Sequence, residues 1–168
     1  MRNYPVITDR KIRLALVGCG RISANHFGAM EQHADRVEIV DVCDVDPIAL
    51  DKAVKRTAAK GHSSLTEMLK TSTADMVVLA TPSGLHPQQS VEIAESGRHV
   101  MTEKPMATRW HDGLRMVKAC DEAGVRMFVV KQNRRNATLQ LLKRLPRREP
   151  VGKYNVWNKI TRSEGTSH

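Results

Sequence analysis

The chain has 168 residues, 40% of them hydrophobic and 27% charged, which excludes a disordered chain and fits one folded domain. No apolar run approaches the roughly 20 residues of a spanning helix. The net charge of +9 does not imply nucleic acid, because residues 1–130 carry 17 basic against 16 acidic residues while 131–168 carry 10 against 2.

Residues 1–13 hold charges where a signal peptide would be apolar, so a cytoplasmic protein is expected, with no membrane and no nucleic-acid partner. Cys19, Cys43 and Cys120 lack the spacing of a disulfide framework or a Cys-x-x-Cys metal site, so no metal is expected.

Short apolar, β-branched runs alternate with stretches of helical period, the pattern of a parallel sheet with crossover helices. Residues 12–17 read as the first strand, broken by Gly18 and Gly20. A helix follows with His26, Phe27, Met30 and Ala34 inward, and then a second strand over 37–43. Asp46 reads as an N-cap with Pro47 at the first helical position, and Gly61 as the residue closing that helix. Ser64-Leu65-Thr66-Glu67 has the form of a capping box, opening a short helix with Leu65, Met68 and Leu69 inward.

The strand over 76–80 is apolar throughout, as a strand covered on both faces should be. A helix over 87–96 stops at Gly97, and a strand over 99–102 runs into Glu103-Lys104-Pro105. A helix over 109–123 stops at Gly124, and a strand over 126–130 closes the series. The expected fold is α/β, a doubly wound parallel sheet (Rossmann-like) in a single domain over 10–136. Residues 137–145 carry the spacing of one more helix, 146–150 form a breaker, and the basic remainder to 168 offers at most one lone strand over 152–161 in an otherwise poorly structured tail.

Val17-Gly18-Cys19-Gly20-Arg21-Ile22-Ser23-Ala24 joins the first strand to the first helix, the context in which a glycine-rich motif carries weight. Gly18 permits the tight turn, and Gly20 lets the backbone approach a pyrophosphate. Ser23, where glycine or alanine is usual, is still small enough for the helix to lie close to the strand. Gly18, Gly20, Arg21 and Ile22 are therefore candidate cofactor-binding residues, and the free N–H groups and positive dipole end of the helix favour a phosphate. The same residues also suit a glycine turn without a ligand. Asp44 ends the second strand 24 residues past Gly20, where its carboxylate can accept from a ribose diol and repel a 2′-phosphate, favouring NAD over NADP. Thr81-Pro82-Ser83-Gly84-Leu85-His86 and Glu103-Lys104-Pro105 follow later strands at the ligand-binding edge of such sheets.

Gly-x-Gly-x-x-Ser, a strand-end Asp, Thr-Pro-x-x-x-His and Glu-Lys-Pro, in this order and spacing, resemble the Gfo/Idh/MocA family of nicotinamide-dependent oxidoreductases over residues 10–136. Residues 17–30 and 129–136 are most similar to its sugar-nucleotide 3-dehydrogenases, which oxidise UDP-N-acetyl-2-amino-2-deoxyglucuronate in surface-polysaccharide synthesis. The resemblance implies NAD as cofactor and a small sugar-nucleotide substrate. It implies Lys104 as the catalytic residue at the hydroxyl being oxidised, its ammonium stabilising a developing alkoxide or joining a proton relay. Thr81, Pro82, His86 and Glu103 are implied as cofactor-binding, with His86 on the nicotinamide side, Glu103 and Pro105 shaping the turn, and a non-trans peptide possible before Pro105.

His26, His33, His62, His99 and His111 show no ligand-like spacing and read as structural. Cys19 and Cys43 flank the cleft as small packing residues, and Trp110 and Phe128 read as core or helix-edge residues. Arg134 and Arg135 either meet a substrate diphosphate or begin the basic tail. Family members continue into a second α/β domain, and this chain ends about where that domain should begin. The expectation is a cofactor-binding half with little or no turnover; the alternative is a non-catalytic nucleotide-binding or interaction module with a basic tail. Oligomeric state is not fixed by the sequence.

Overall fold

The computed structural model describes residues 7–144. The chain divides into two compact units, Met1–Val130 and Lys131–His168. The described part of the first alternates strands and helices: β1 (Ile12–Val17), α1 (Ser23–Gln32), β2 (Val37–Cys43), α2 (Pro47–Thr57), β3 (Lys60–His62), α3 (Leu65–Thr71), β4 (Met76–Leu79), α4 (His86–Glu95), β5 (His99–Thr102), α5 (Trp110–Glu122) and β6 (Met127–Val129). All strand pairings are parallel, in the order β3-β2-β1-β4-β5-β6. In that order the chain reverses direction of travel between β1 and β4, so a crevice opens at the carboxyl ends of these two strands.

The strands read as apolar runs because helices cover both faces. Along β1, Leu14 and Leu16 pack with Phe27, Met30, Val42 and Ala53 on one face. Ala15 and Val17 pack with Met68, Leu79, Ile93 and Val100 on the other. Alternate residues of one strand thus feed two separate cores, as the period of two requires.

Asp46 caps α2 by accepting from the Ile48 amide at 2.9 Å, with Pro47 at the first position, as its sequence reads. Gly61 does not close that helix. The helix ends at Thr57, with Ala58 taking the left-handed conformation (φ 56°), and Gly61 lies inside β3. That strand is three residues of polar character at the sheet edge, held through the backbone beside Asp41–Cys43. Half of the capping box at α3 forms: Ser64 Oγ accepts from the Glu67 amide at 3.5 Å, but the Glu67 carboxylate turns to Lys70. Ala34 lies past the end of α1 and is exposed. Trp110 opens α5 and is 81% exposed, and Phe128 on the edge strand β6 is partly exposed, so neither is a core residue.

A polar cluster missed in the sequence joins β2, β3 and the end of α3. Buried Asp41 takes His62 Nε2 on one carboxylate oxygen at 2.7 Å and Ser72 Oγ on the other at 2.7 Å. Each carboxylate oxygen is satisfied, which is what permits a charged group inside.

Asp75, at the entrance to β4, accepts from both terminal nitrogens of Arg10 (2.6 and 2.8 Å) and from the Arg13 amide (2.8 Å). The Arg10 guanidinium chiefly, with the Arg13 amide, holds its carboxyl down at about 2, below its ordinary 3.8. Because the folded value is the lower one, the stabilisation is complete above the unfolded value and is lost as pH falls from about 4 towards 2. Asp75→Asn should therefore lower the melting temperature at neutral pH and flatten the acid limb between pH 4 and 2. An unchanged acid limb contradicts this account.

The described part of the second unit is a 3₁₀ turn, Gln132–Arg135, and α6 (Ala137–Arg144). Asn136 Oδ1 caps α6 by accepting from the amides of Thr138 (3.0 Å) and Leu139 (3.3 Å). The expected breaker and basic tail over 146–168 lie outside the described residues. Among those described, no helix is long and apolar enough to cross a membrane.

Candidate functional site

The turn after β1 is built around Gly18. Its φ is +91°, and a Cβ there would lie 2.8 Å from the carbonyl carbon and oxygen of Ala80 and from the amide nitrogen of Thr81. Two strand ends thus meet with no room for a side chain, and the Gly18 amide is fixed by the Cys43 carbonyl at 2.8 Å. Gly20 is different: a Cβ there meets nothing within 4 Å, and its carbonyl accepts from the Ser23 amide (3.1 Å) and hydroxyl (2.6 Å). Ser23 is 3% exposed, so its small side chain is tucked beneath the turn. Arg21 and Ile22 are exposed on the turn, and no side chain caps the amino end of α1. The residues fit a dinucleotide: a backbone cradle open at Gly20, at the positive end of a helix, suits a pyrophosphate.

Asp44 lies beside this turn. One carboxylate oxygen accepts from the Cys19 amide at 2.6 Å and the other from the Asp46 amide at 2.8 Å. The group is aimed by backbone, leaving further lone pairs on both oxygens for a diol. Cys19 and Cys43 sit alongside. Burial, then the Asp44 charge, pushes the Cys19 thiol up to about 12 and Cys43 to about 11. Both stay protonated at neutral pH and act as packing.

Thr81 and Pro82 follow β4. The Thr81 hydroxyl donates to Gln89 on α4 at 2.6 Å. His86 is 1% exposed, with Nε2 2.9 Å from the Thr81 carbonyl and Nδ1 3.0 Å from the Pro105 carbonyl. The ring therefore stands between two loops, within hydrogen-bond distance of a carbonyl oxygen on each.

Glu103 and Lys104 follow β5, and the Lys104–Pro105 peptide is cis. The Glu103 amide donates to the Leu79 carbonyl at 3.0 Å, while its side chain meets His26 Nε2 at 2.9 Å. Lys104 is exposed at this edge. The turn 18–23, Asp44, the 81–86 loop and Glu103-Lys104 all stand at the carboxyl ends of their strands.

Two kinds of residue were missed in the sequence. His26, read as structural, is tied to Glu103. Val45, Ile48 and Leu85 are 87%, 65% and 46% exposed in turns or first helical turns at the same sheet edge, beside Ile22, a candidate from the sequence, at 40%. Bulky apolar residues such as Val45 and Ile48 in an otherwise polar turn were the available signal, since they suit a flat apolar ligand face. Among the described residues no group of three or more His, Cys, Asp or Glu is arranged to hold a metal ion.

Comparison with known proteins identifies the family and the fold. Residues 12–131 match the family model described as "Oxidoreductase family, NAD-binding Rossmann fold", the Gfo/Idh/MocA model. Among solved structures, the WlbA dehydrogenase of Chromobacterium violaceum, in complex with NADH and UDP-GlcNAcA, is 71% identical, with a TM-score of 0.84 over 86% of this chain and 42% of that one. The Bordetella pertussis WlbA dehydrogenase, in complex with the same two molecules, is 68% identical, with a TM-score of 0.80 over 82% of this chain and 40% of that one. D-apiose dehydrogenase of Paraburkholderia graminis is 30% identical over 155 residues, 92% of this chain and 41% of its own length. The chain thus spans about two-fifths of the length of these relatives.

Proposed function

The chain belongs to the Gfo/Idh/MocA family of oxidoreductases with an NAD-binding Rossmann fold, and on that premise we propose that the protein serves the NAD-dependent oxidation of a sugar-nucleotide hydroxyl, with a UDP-linked N-acetylglucosaminuronate as substrate. The observation that carries this reading is the 71% identity, over 86% of the chain, to a dehydrogenase crystallised with NADH and UDP-GlcNAcA.

When bound, the oxidised nicotinamide supplies the hydride acceptor. The chain's own residues then have separable roles. The turn at Gly18–Ser23 receives the pyrophosphate, and Asp44 accepts from the adenosine ribose. The loop at Thr81, Pro82 and His86 and the turn at Glu103 border the nicotinamide end. The Lys104 side chain relays the proton of the substrate hydroxyl, releasing one of its own N–H protons to solvent as it takes that proton up, and its positive charge stabilises the alkoxide that develops.

Asp44→Ala is expected to weaken NADH binding by about 10- to 100-fold, the 1.5–3 kcal/mol of a hydrogen bond to a charged group. It should also narrow the preference for NADH over NADPH. An unchanged ratio of the two affinities contradicts the placement of Asp44 at the ribose.

The activity is tested by supplying NAD and UDP-GlcNAcA and following NADH formation. Little or no turnover is expected of a chain that spans about two-fifths of these dehydrogenases, and whatever formation it supports should disappear in Lys104→Met with NADH affinity retained. Turnover that survives that substitution contradicts the role of Lys104, and failure to bind NADH contradicts the NAD-dependent reading itself.

A further inference from the structure

We propose that His26 is a positioning residue for Lys104, so that occupation of the Gly18–Ser23 turn is felt at the lysine through Glu103. The inference rests on the functional reading above and extends it to a residue to which that reading gives no role.

His26 lies one turn into α1, the helix whose amino end follows the glycine turn. Its Nε2 is 2.9 Å from Glu103 Oε1, and the two side chains are only 14% and 13% exposed. An ionised carboxylate can only accept, so Nε2 carries the proton. The second oxygen, Oε2, accepts from the backbone amide of Lys104 at 3.2 Å. One carboxylate therefore spans from the helix behind the phosphate seat to the peptide that carries the reactive side chain.

The residue after Lys104 is held from elsewhere, because the Pro105 carbonyl faces His86 Nδ1 at 3.0 Å. Lys104 is thus an exposed side chain between two fixed neighbours. Of the two clasps, only the one through His26 starts on the helix that would feel a pyrophosphate. A small shift of α1 on cofactor binding is passed to Glu103 by a short, largely buried contact, which leaves little slack.

Backbone hydrogen exchange of the 168-residue protein, with and without saturating NADH, tests this in wild type, His26→Leu and His26→Gln. The Gln amide nitrogen falls close to the position of Nε2 and can donate in its place. In wild type, NADH should slow exchange several-fold both at residues 18–23 and at 103–104. In His26→Leu it should slow exchange only at 18–23, and His26→Gln should restore the effect at 103–104. A purely structural role would lower the melting temperature without separating the two segments. Should His26→Leu fail to fold, His26→Asn replaces it, because its amide nitrogen mimics Nδ1 rather than Nε2 and the side chain is too short to reach Glu103; the same separation is expected. Protection at both segments in His26→Leu (or in His26→Asn) overturns the positioning role. Protection at 18–23 alone in wild type overturns the coupling and leaves cofactor binding intact. If NADH alters neither segment in wild type, the cofactor reading itself fails.

Discussion

Gly20→Val is expected to leave the protein folded and to abolish NADH binding. Gly20 is outside the left-handed region, and a side chain there meets no protein atom within 4 Å, so the folded state has room for it. Stability should change by less than about 1 kcal/mol, as for exposed turn positions. The space it would fill is the mouth of the cradle. A branched side chain against a ligand phosphate costs about as much as overpacking, roughly 3 kcal/mol, so affinity should fall by more than about 100-fold. Unfolding by urea and titration with NADH, on the same preparation, measure the two effects. Retained affinity contradicts the placement of the pyrophosphate, and loss of the fold contradicts the openness of the turn.

Gly18→Val should do the opposite and destroy the domain along with its site. At φ +91° a β-branched residue is strained whatever the space, and here the space is absent: three backbone atoms of Ala80 and Thr81 stand 2.8 Å from the Cβ position. Backbone strain and overpacking together come to about 3–5 kcal/mol. That is a large fraction of the roughly 5–15 kcal/mol by which domains are stable. The loss should appear as a melting temperature lowered by more than about 10 °C, with NADH binding lost as the fold is lost. Wild-type stability in Gly18→Val contradicts the close approach of β1 and β4 at this turn. The two glycines, two residues apart, thus separate a requirement of the fold from a requirement of the ligand.

Much of the sheet was legible because its signals are local. β1 and β4 are short apolar runs, α2 opens on Asp46-Pro47, and α5 stops before Gly124, so periodicity and capping residues alone locate them. β3 was not legible: Lys60-Gly61-His62 has no apolar alternation and becomes a strand only because β2 offers it a free edge. Gly61 consequently looked like a helix terminator, although Ala58 takes the left-handed position.

The glycine turn, Asp44 and the Glu-Lys-Pro turn were readable as candidates, since each is a residue type at a strand end. Their supports were not. His26 and Glu103 are 77 residues apart, and His86 meets Thr81 and Pro105 across two loops. Such pairs are set by which strands become neighbours, a property of the folded sheet that no window of sequence carries. The burial of His86 follows from the same cause.

The most direct test is a crystal structure of the protein soaked with NADH. The account predicts the pyrophosphate against the backbone amides of residues 20–23, with the adenosine ribose hydroxyls on the Asp44 carboxylate. NADH bound elsewhere, or a crevice between β1 and β4 that stays empty at saturating NADH, would contradict it.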